Sequence, residues 1–121
     1  MKLSELKSEK IRLKIPVYSG EEIIDTIEIY NPTHEQYIEI DNCIRNEQVN
    51  DGLRYRLLSE LTNIDVDCEV NDDFYKYYSD LFKRVMMEID FIIEDIALNI
   101  VVELDKNLSV SEDKIDAIII F

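Results

Sequence analysis

The longest run of regularly spaced hydrophobic positions in the chain lies between Ser79 and Lys106. At about 100° per residue, large apolar residues that recur at spacings of three and four fall on one side of a helix. These residues are Phe82, Met86, Ile89, Ile93, Ile96, Ile100 and Leu104. The spacing predicts a helix that buries this stripe against the rest of the chain.

A second, thinner apolar stripe lies roughly opposite the first and is formed by Met87, Phe91, Leu98 and Val102. Acidic residues separate the two stripes, with Glu88, Asp95 and Glu103 on one side and Asp90 and Glu94 on the other. A helix needs only one apolar face to dock on its own domain. The second stripe is therefore either buried against the chain's own hairpin and short helices, or kept for another chain.

The N-terminal part of the chain has the period-two pattern of a β-hairpin. Apolar and polar residues alternate from Ile11 to Tyr18, and β-branched residues resume from Ile23 to Tyr30 around the turn at residues 19–22. Because Pro16 has no N–H to donate, the first strand should be an edge strand or contain a bulge. Ile27 and Ile29 should face the core, since a lone hairpin is only marginally stable in water.

The middle of the chain predicts two short helices, at about residues 33–47 and 50–63. Thr33 and Gln36 form the capping box of the first, and Asn50 or Asp51 can cap the second. An acidic connector follows at 65–73. The next helical stretch spans about residues 72–106, either as one helix or as two helices broken at Ser79.

These elements predict an α+β fold in a single domain, 1–121, with an N-terminal β-hairpin (about 10–30) packed on a mainly helical bundle and one long C-terminal helix. An apolar segment, 115–121, ends the chain. Its residues Ile118, Ile119, Ile120 and Phe121 either fill the core or bind a partner, because exposed termini are normally polar.

The charge of the chain restricts its partners. The net charge is −14, from 13 basic and 27 acidic residues. Within residues 1–18 five basic residues outnumber two acidic ones, a balance of +3, so the remainder carries −17. An acidic surface of this kind repels nucleic acid and anionic membranes, so neither is expected as a partner. It either favours basic partners or serves only solubility.

The sequence gives no indication of a membrane span or of secretion. Asp90 and Asp95 alone would cost about 5–7 kcal/mol near the centre of a bilayer, so the long apolar helix should not span a membrane. The N-terminus has no apolar signal-peptide region, and the two cysteines, Cys43 and Cys68, do not form a disulfide framework. A cytoplasmic location is expected.

No catalytic, metal-binding or cofactor-binding motif is evident. His34 is the only histidine, and its place at the start of a capped helix predicts an exposed residue. Asp65, Asp67 and Glu69 alternate as in a calcium loop, but the required glycine and closing glutamate are missing. We therefore expect no enzyme activity, no cofactor and no bound metal.

The order of elements is similar to that of a known protein family. A basic hairpin leads through Asn31-Pro32-Thr33 into short helices, and the stretch Leu57-Leu58-Ser59-Glu60-Leu61-Thr62-Asn63-Ile64 precedes an acidic loop and a long helix. This layout resembles the tail assembly chaperones of long-tailed bacteriophages, especially those that infect Gram-positive hosts.

The resemblance implies a non-catalytic function in the host cytoplasm. Members of that family coat the long, helical tape measure protein until tail tube subunits polymerise around it, and many also exist as a longer frameshifted product. The implied partners are the tape measure protein, the tail tube protein and further copies of the chain. Self-association and client binding would use the second apolar stripe and the apolar C-terminal segment.

An alternative function follows from charge alone. The helix between Val85 and Asp105 contains no Lys or Arg, so its carboxylates could stand in for the phosphates of a nucleic acid. The chain would then be an acidic inhibitor of the anti-restriction or anti-CRISPR type. Binding by such an inhibitor should weaken steeply with salt.

Overall fold

The chain folds into an antiparallel hairpin followed by helices. The computed structural model describes residues 2–3, 10–70, 76 and 79–106. Within them, the strands are β1 (Ile11–Ser19) and β2 (Glu22–Tyr30), and the helices are α1 (His34–Arg45), α2 (Asp51–Glu60) and α3 (Asp80–Lys106). This order confirms the α+β class, with the hairpin at the N-terminal end and one long helix toward the C-terminal end. The predicted apolar segment 115–121 lies outside the described residues.

The hairpin closes through a two-residue turn, Gly20-Glu21. Gly20 has a φ of +65°, a left-handed conformation that a residue without Cβ adopts at little cost. Pro16 is paired with Thr26, whose carbonyl accepts a hydrogen bond on the far side of β2. Pro16 therefore lies at a position where the backbone of β1 faces its free outer edge, and its missing N–H breaks no bond within the hairpin.

The outer edge of β2 is covered by the segment 61–63. Tyr30 N–H donates to the Leu61 carbonyl (2.7 Å), and Asn63 N–H donates to the Glu28 carbonyl (3.2 Å). The Asn63 side chain adds two bonds, because its Oδ1 accepts from Glu28 N–H (2.8 Å) and its Nδ2 donates to the Thr26 carbonyl (2.9 Å). The predicted helix 50–63 is therefore too long. It ends at Glu60, since the next residues take an extended path along β2.

The two short helices begin where their capping residues predict. Thr33 and Gln36 form the predicted capping box, with each side chain accepting from the other's backbone N–H (3.2 and 2.9 Å). Of the two candidate caps for α2, the structure uses Asn50, whose side chain accepts from Leu53 N–H at 3.0 Å.

The long helix α3 begins at Asp80, and Ser79 lies outside it. The long helix therefore begins directly after Ser79, the position at which the sequence allowed a break between two helices. The predicted helical residues 72–75 and 77–78 lie outside the described part of the chain.

The predicted main stripe of α3 faces the core. Met86, Ile89, Ile93, Ile96 and Ile100 are buried, while Phe82 and Leu104 at the ends of the stripe are half-buried. All five elements contribute to this core. The hairpin supplies Ile15 and Ile29, α1 supplies Ile40 and Ile44, and α2 supplies Leu53, Leu57 and Leu58.

Candidate protein-interaction surface

The second stripe of α3 is exposed to solvent. Met87, Phe91, Leu98 and Val102 have exposed fractions of 48%, 40%, 58% and 52%. We call these four residues the α3 outer face. Of the two alternatives that the sequence allowed, burial against the chain's own hairpin and short helices is wrong, because those elements pack on the other sides of α3.

One edge of the α3 outer face is bounded by the hairpin. Arg12 on β1 lies 3.2 Å from the Asp95 carboxylate and 3.7 Å from the Glu88 carboxylate. Next to this edge, Asn99 Nδ2 donates to the Tyr37 hydroxyl of α1 at 3.1 Å. A polar border beside an exposed apolar stripe is the usual anatomy of a protein-binding surface.

The other edge is bounded by α2. Arg54 binds Asp90 through two nitrogens, with Nε 2.7 Å from Oδ1 and Nη2 3.0 Å from Oδ2. Glu94 and this ion pair line an open cleft of about 280 Å³ between α2 and α3. The Glu94 side chain therefore lies on the α2 side of the α3 outer face.

Four acidic residues of α3 form ion pairs with arginines of β1, α1 and α2. Besides Arg12 and Arg54, Arg45 of α1 binds both Asp41 (2.6 Å) and Glu103. Hydrogen bonds to Asp41, and then to Glu103, raise the pKa of Arg45 above its usual value. Sequence reasoning missed these pairs, because arginines 30 or more residues away in the sequence leave no local signal beside the carboxylates.

Several exposed charges of α3, among them Arg84, Glu94 and Asp105, take part in no ion pair within the described residues. Arg84 is the exception among the five arginines, since Arg12, Arg45, Arg54 and Arg56 all bind carboxylates.

A smaller apolar patch lies at the tip of the hairpin. Tyr18, Ile23 and Ile24 are each more than half exposed, and Glu21, Glu22 and Asp25 surround them as exposed acids. This patch was not predicted from the sequence. A signal was present, because the adjacent Ile23 and Ile24 break the alternation of a half-buried strand, and the register shifts at this point.

The residues with catalytic or metal-binding chemistry are not brought together. His34 is exposed as predicted, Cys43 is half-buried and Cys68 is exposed, and both thiols are free. Within the described residues, no three His, Cys, Asp or Glu side chains are grouped as metal ligands. An apolar cleft lined by Leu58, Ile64, Val66, Val70 and Phe82 has a volume of about 190 Å³, below the range typical of drug-sized ligands.

The other residues predicted to bind a partner belong to the apolar C-terminal segment. Ile118, Ile119, Ile120 and Phe121 lie outside the described residues, so their role stays a prediction.

The fold and this surface define an α+β protein whose longest helix presents an apolar face between ion-paired borders. No helix in the described part of the chain is both long enough and apolar enough to span a membrane. Comparisons with protein-family models, with curated protein sequences and with solved structures find no match to the chain.

Proposed function

We propose that the chain is a non-catalytic tail assembly chaperone of a long-tailed bacteriophage, which self-associates and binds the tape measure protein in the host cytoplasm. The tail tube protein is a further proposed partner. The observation that carries the proposal is the exposure of the α3 outer face. The layout of hairpin, short helices and long helix gives it additional support through the family resemblance.

The α3 outer face has enough apolar surface to sustain an interface. Because Met87, Phe91, Leu98 and Val102 are each about half exposed, burial of their exposed parts would contribute about 3–6 kcal/mol in total, to which the apolar groups of the partner add. Association costs of about 4 kcal/mol or more oppose this gain.

Co-expression with the proposed client tests the proposal. The client would be the long, helix-rich reading frame expected just downstream of the gene for this chain. We expect the wild-type chain to raise the soluble fraction of this protein, and the Phe91→Glu variant to lose most of that effect. Ile38→Glu is the matched control, because Ile38 is also exposed but lies on α1. A client whose solubility is unchanged by the wild-type chain would contradict the proposal.

The alternative of a nucleic-acid mimic is less well supported. Arg12, Arg45 and Arg54 form ion pairs with four carboxylates of α3, at Glu88, Asp90, Asp95 and Glu103. A phosphate mimic needs these charges to be available to a basic target. Measuring binding at increasing salt concentration distinguishes the two functions. A complex stabilised by apolar contacts should persist at about 0.5 M salt, whereas a complex that depends on counterion release should dissociate.

A further inference from the structure

The residues of the α3 outer face are placed symmetrically about the peptide bond between Glu94 and Asp95. Phe91 and Leu98 are equally far from this point, and so are Met87 and Val102. Two of the charges without an ion pair extend the symmetry, since Arg84 and Asp105 are also equally far from it. The span from Met87 to Val102 is about 22 Å along the helix.

We propose that the α3 outer face binds a second copy of the chain, with the two α3 helices antiparallel about a two-fold axis at the Glu94–Asp95 bond. In this arrangement Met87 meets Val102 of the partner subunit, and Phe91 meets Leu98 of the partner subunit. Every apolar residue of the face therefore contacts an apolar residue. An interface that uses the same patch on both copies closes on itself and gives a dimer.

Charge complementarity selects this antiparallel arrangement. Arg84 is opposite Asp105 of the partner subunit, so each dimer gains two ion pairs from charges that the described part of a single chain leaves uncompensated. A parallel, in-register pairing would instead place Arg84 against Arg84 and Asp105 against Asp105. Like charges that face each other across an interface disfavour that alternative.

The open sector of α3 is wide enough for a second helix. At about 100° per residue, the sector between Asp90, which binds Arg54, and Asp95, which binds Arg12, covers about 140°, and a helix docks through a stripe of about 100°. Glu94 is the unfavourable element, because the two-fold axis brings it near its own copy. It lies on the α2 side of the face and lines the cleft with Arg54, away from the apolar contacts.

This inference deepens the self-association part of the proposed function and rests on it. It leaves the exposed hairpin tip available for a client. Client binding is measured by co-expression and self-association is measured on the isolated chain, so failure of one is distinguishable from failure of the other.

Charge reversal with rescue is the first test. Sedimentation equilibrium of the full chain should show a concentration-dependent dimer. We expect Arg84→Glu to weaken it about tenfold, because two exposed ion pairs become two repulsions. Combining Arg84→Glu with Asp105→Arg should restore the dissociation constant to within about threefold of wild type. Lys14→Glu, an equal charge change on the exposed side of β1, should have no effect.

Truncation of Phe91 tests the apolar contacts of the dimer, and neutralisation of Glu94 tests the position of the two-fold axis. Phe91→Ser should weaken the dimer at least about tenfold, whereas the control Ile38→Ser should not. Glu94→Gln should strengthen it, since it removes the like-charge contact at the axis. Circular dichroism of each variant checks that the helices are retained.

Disulfide trapping tests the direction of the helices. In chains with Cys43 and Cys68 replaced by alanine, Met87→Cys and a size-tagged Val102→Cys chain are mixed and oxidised. The mixed disulfide should exceed both symmetric products. A monomer at all concentrations, a dimer unaffected by Phe91→Ser, failure of the double variant to rescue, or an excess of the symmetric products would each overturn the proposal.

Discussion

Arg54 of α2 and Asp90 of α3 form a two-pronged ion pair, with nitrogen–oxygen distances of 2.7 and 3.0 Å. Asp90 lies one helical turn before Glu94, a like-charge spacing that alone would weaken the helix slightly. The guanidinium offsets that repulsion and fixes the orientation of α2 on α3. The pair also forms the α2-side border of the α3 outer face.

Removal of the Arg54–Asp90 ion pair should lower the free energy of unfolding measurably. In a double-mutant cycle of Arg54→Met and Asp90→Asn, we expect a coupling energy of about 1 kcal/mol, because the geometry is bidentate and partly shielded from water. The same cycle on the more exposed Arg56–Glu39 pair should give less than about 0.5 kcal/mol. Urea unfolding measures both cycles, and equal coupling energies would contradict the prediction.

Asn63 should stabilise the edge of β2 through its side chain. Asn63→Ala removes two hydrogen bonds to the β2 backbone, and we expect a loss of about 1–2 kcal/mol in the free energy of unfolding. Hydrogen exchange at the Glu28 amide should accelerate more than exchange in α1. Asn42→Ala is the control, since Asn42 is exposed on α1, where alanine favours the helix. Unchanged exchange at Glu28 would show that this contact does not protect the strand.

The two faces of α3 should respond differently to truncation. Ile89 is fully buried, so Ile89→Ala should reduce the free energy of unfolding by about 2–5 kcal/mol. Leu98 is 58% exposed, so Leu98→Ala should change the stability of the monomer by less than about 0.5 kcal/mol. Thermal unfolding at low protein concentration, where the monomer dominates, makes the comparison. A large loss for Leu98→Ala would indicate that the face is covered within the chain.

Tyr30 should ionise only at high pH. Partial burial, together with the hydrogen bond from its hydroxyl to Glu28 Oε2 (3.1 Å), raises the pKa of Tyr30 above its usual 10.0. The raised pKa favours the neutral phenol in the folded state. Its contribution to stability is therefore complete below pH 10.0 and is lost as the pH rises through the folded-state pKa.

Spectrophotometric titration measures the tyrosinate groups directly. One component that titrates above pH 10.0 should disappear in Tyr30→Phe, and the same component should move toward lower pH in Glu28→Gln, which removes the nearby negative charge. A titration curve that is the same in Glu28→Gln and wild type would remove Glu28 as a cause of the shift.

Local patterns were enough to predict most of the fold. The alternation around Pro16, the Thr33 and Asn50 caps and the periodicity of α3 each depend on residues within a few positions of one another. The helix predicted at 50–63 was too long because the competing partner of Asn63 is Glu28, 35 residues away. Helix propensity depends on neighbouring residues and does not predict such a contact.

The candidate surface was only partly predictable, for the same reason. The spacing of Met87 and Phe91 indicated a second apolar face, but not whether the hairpin would cover it. Coverage depends on where the other elements dock, and Arg12, whose ion pair with Asp95 joins residues 83 positions apart, lies at the border instead. The apolar hairpin tip was missed because Ile23 and Ile24 match the composition of an ordinary strand.

The long separation between Arg12 and Asp95 has a consequence for synthesis on the ribosome. The hairpin leaves the exit tunnel before α3, whose residues share one core cluster with Ile15 and Ile29. A two-stranded hairpin without a covering element is only marginally stable in water. The hairpin of the nascent chain is therefore expected to stay marginally stable until α3 has emerged from the ribosome. The element that is synthesised earlier thus depends for its stability on an element that is synthesised later.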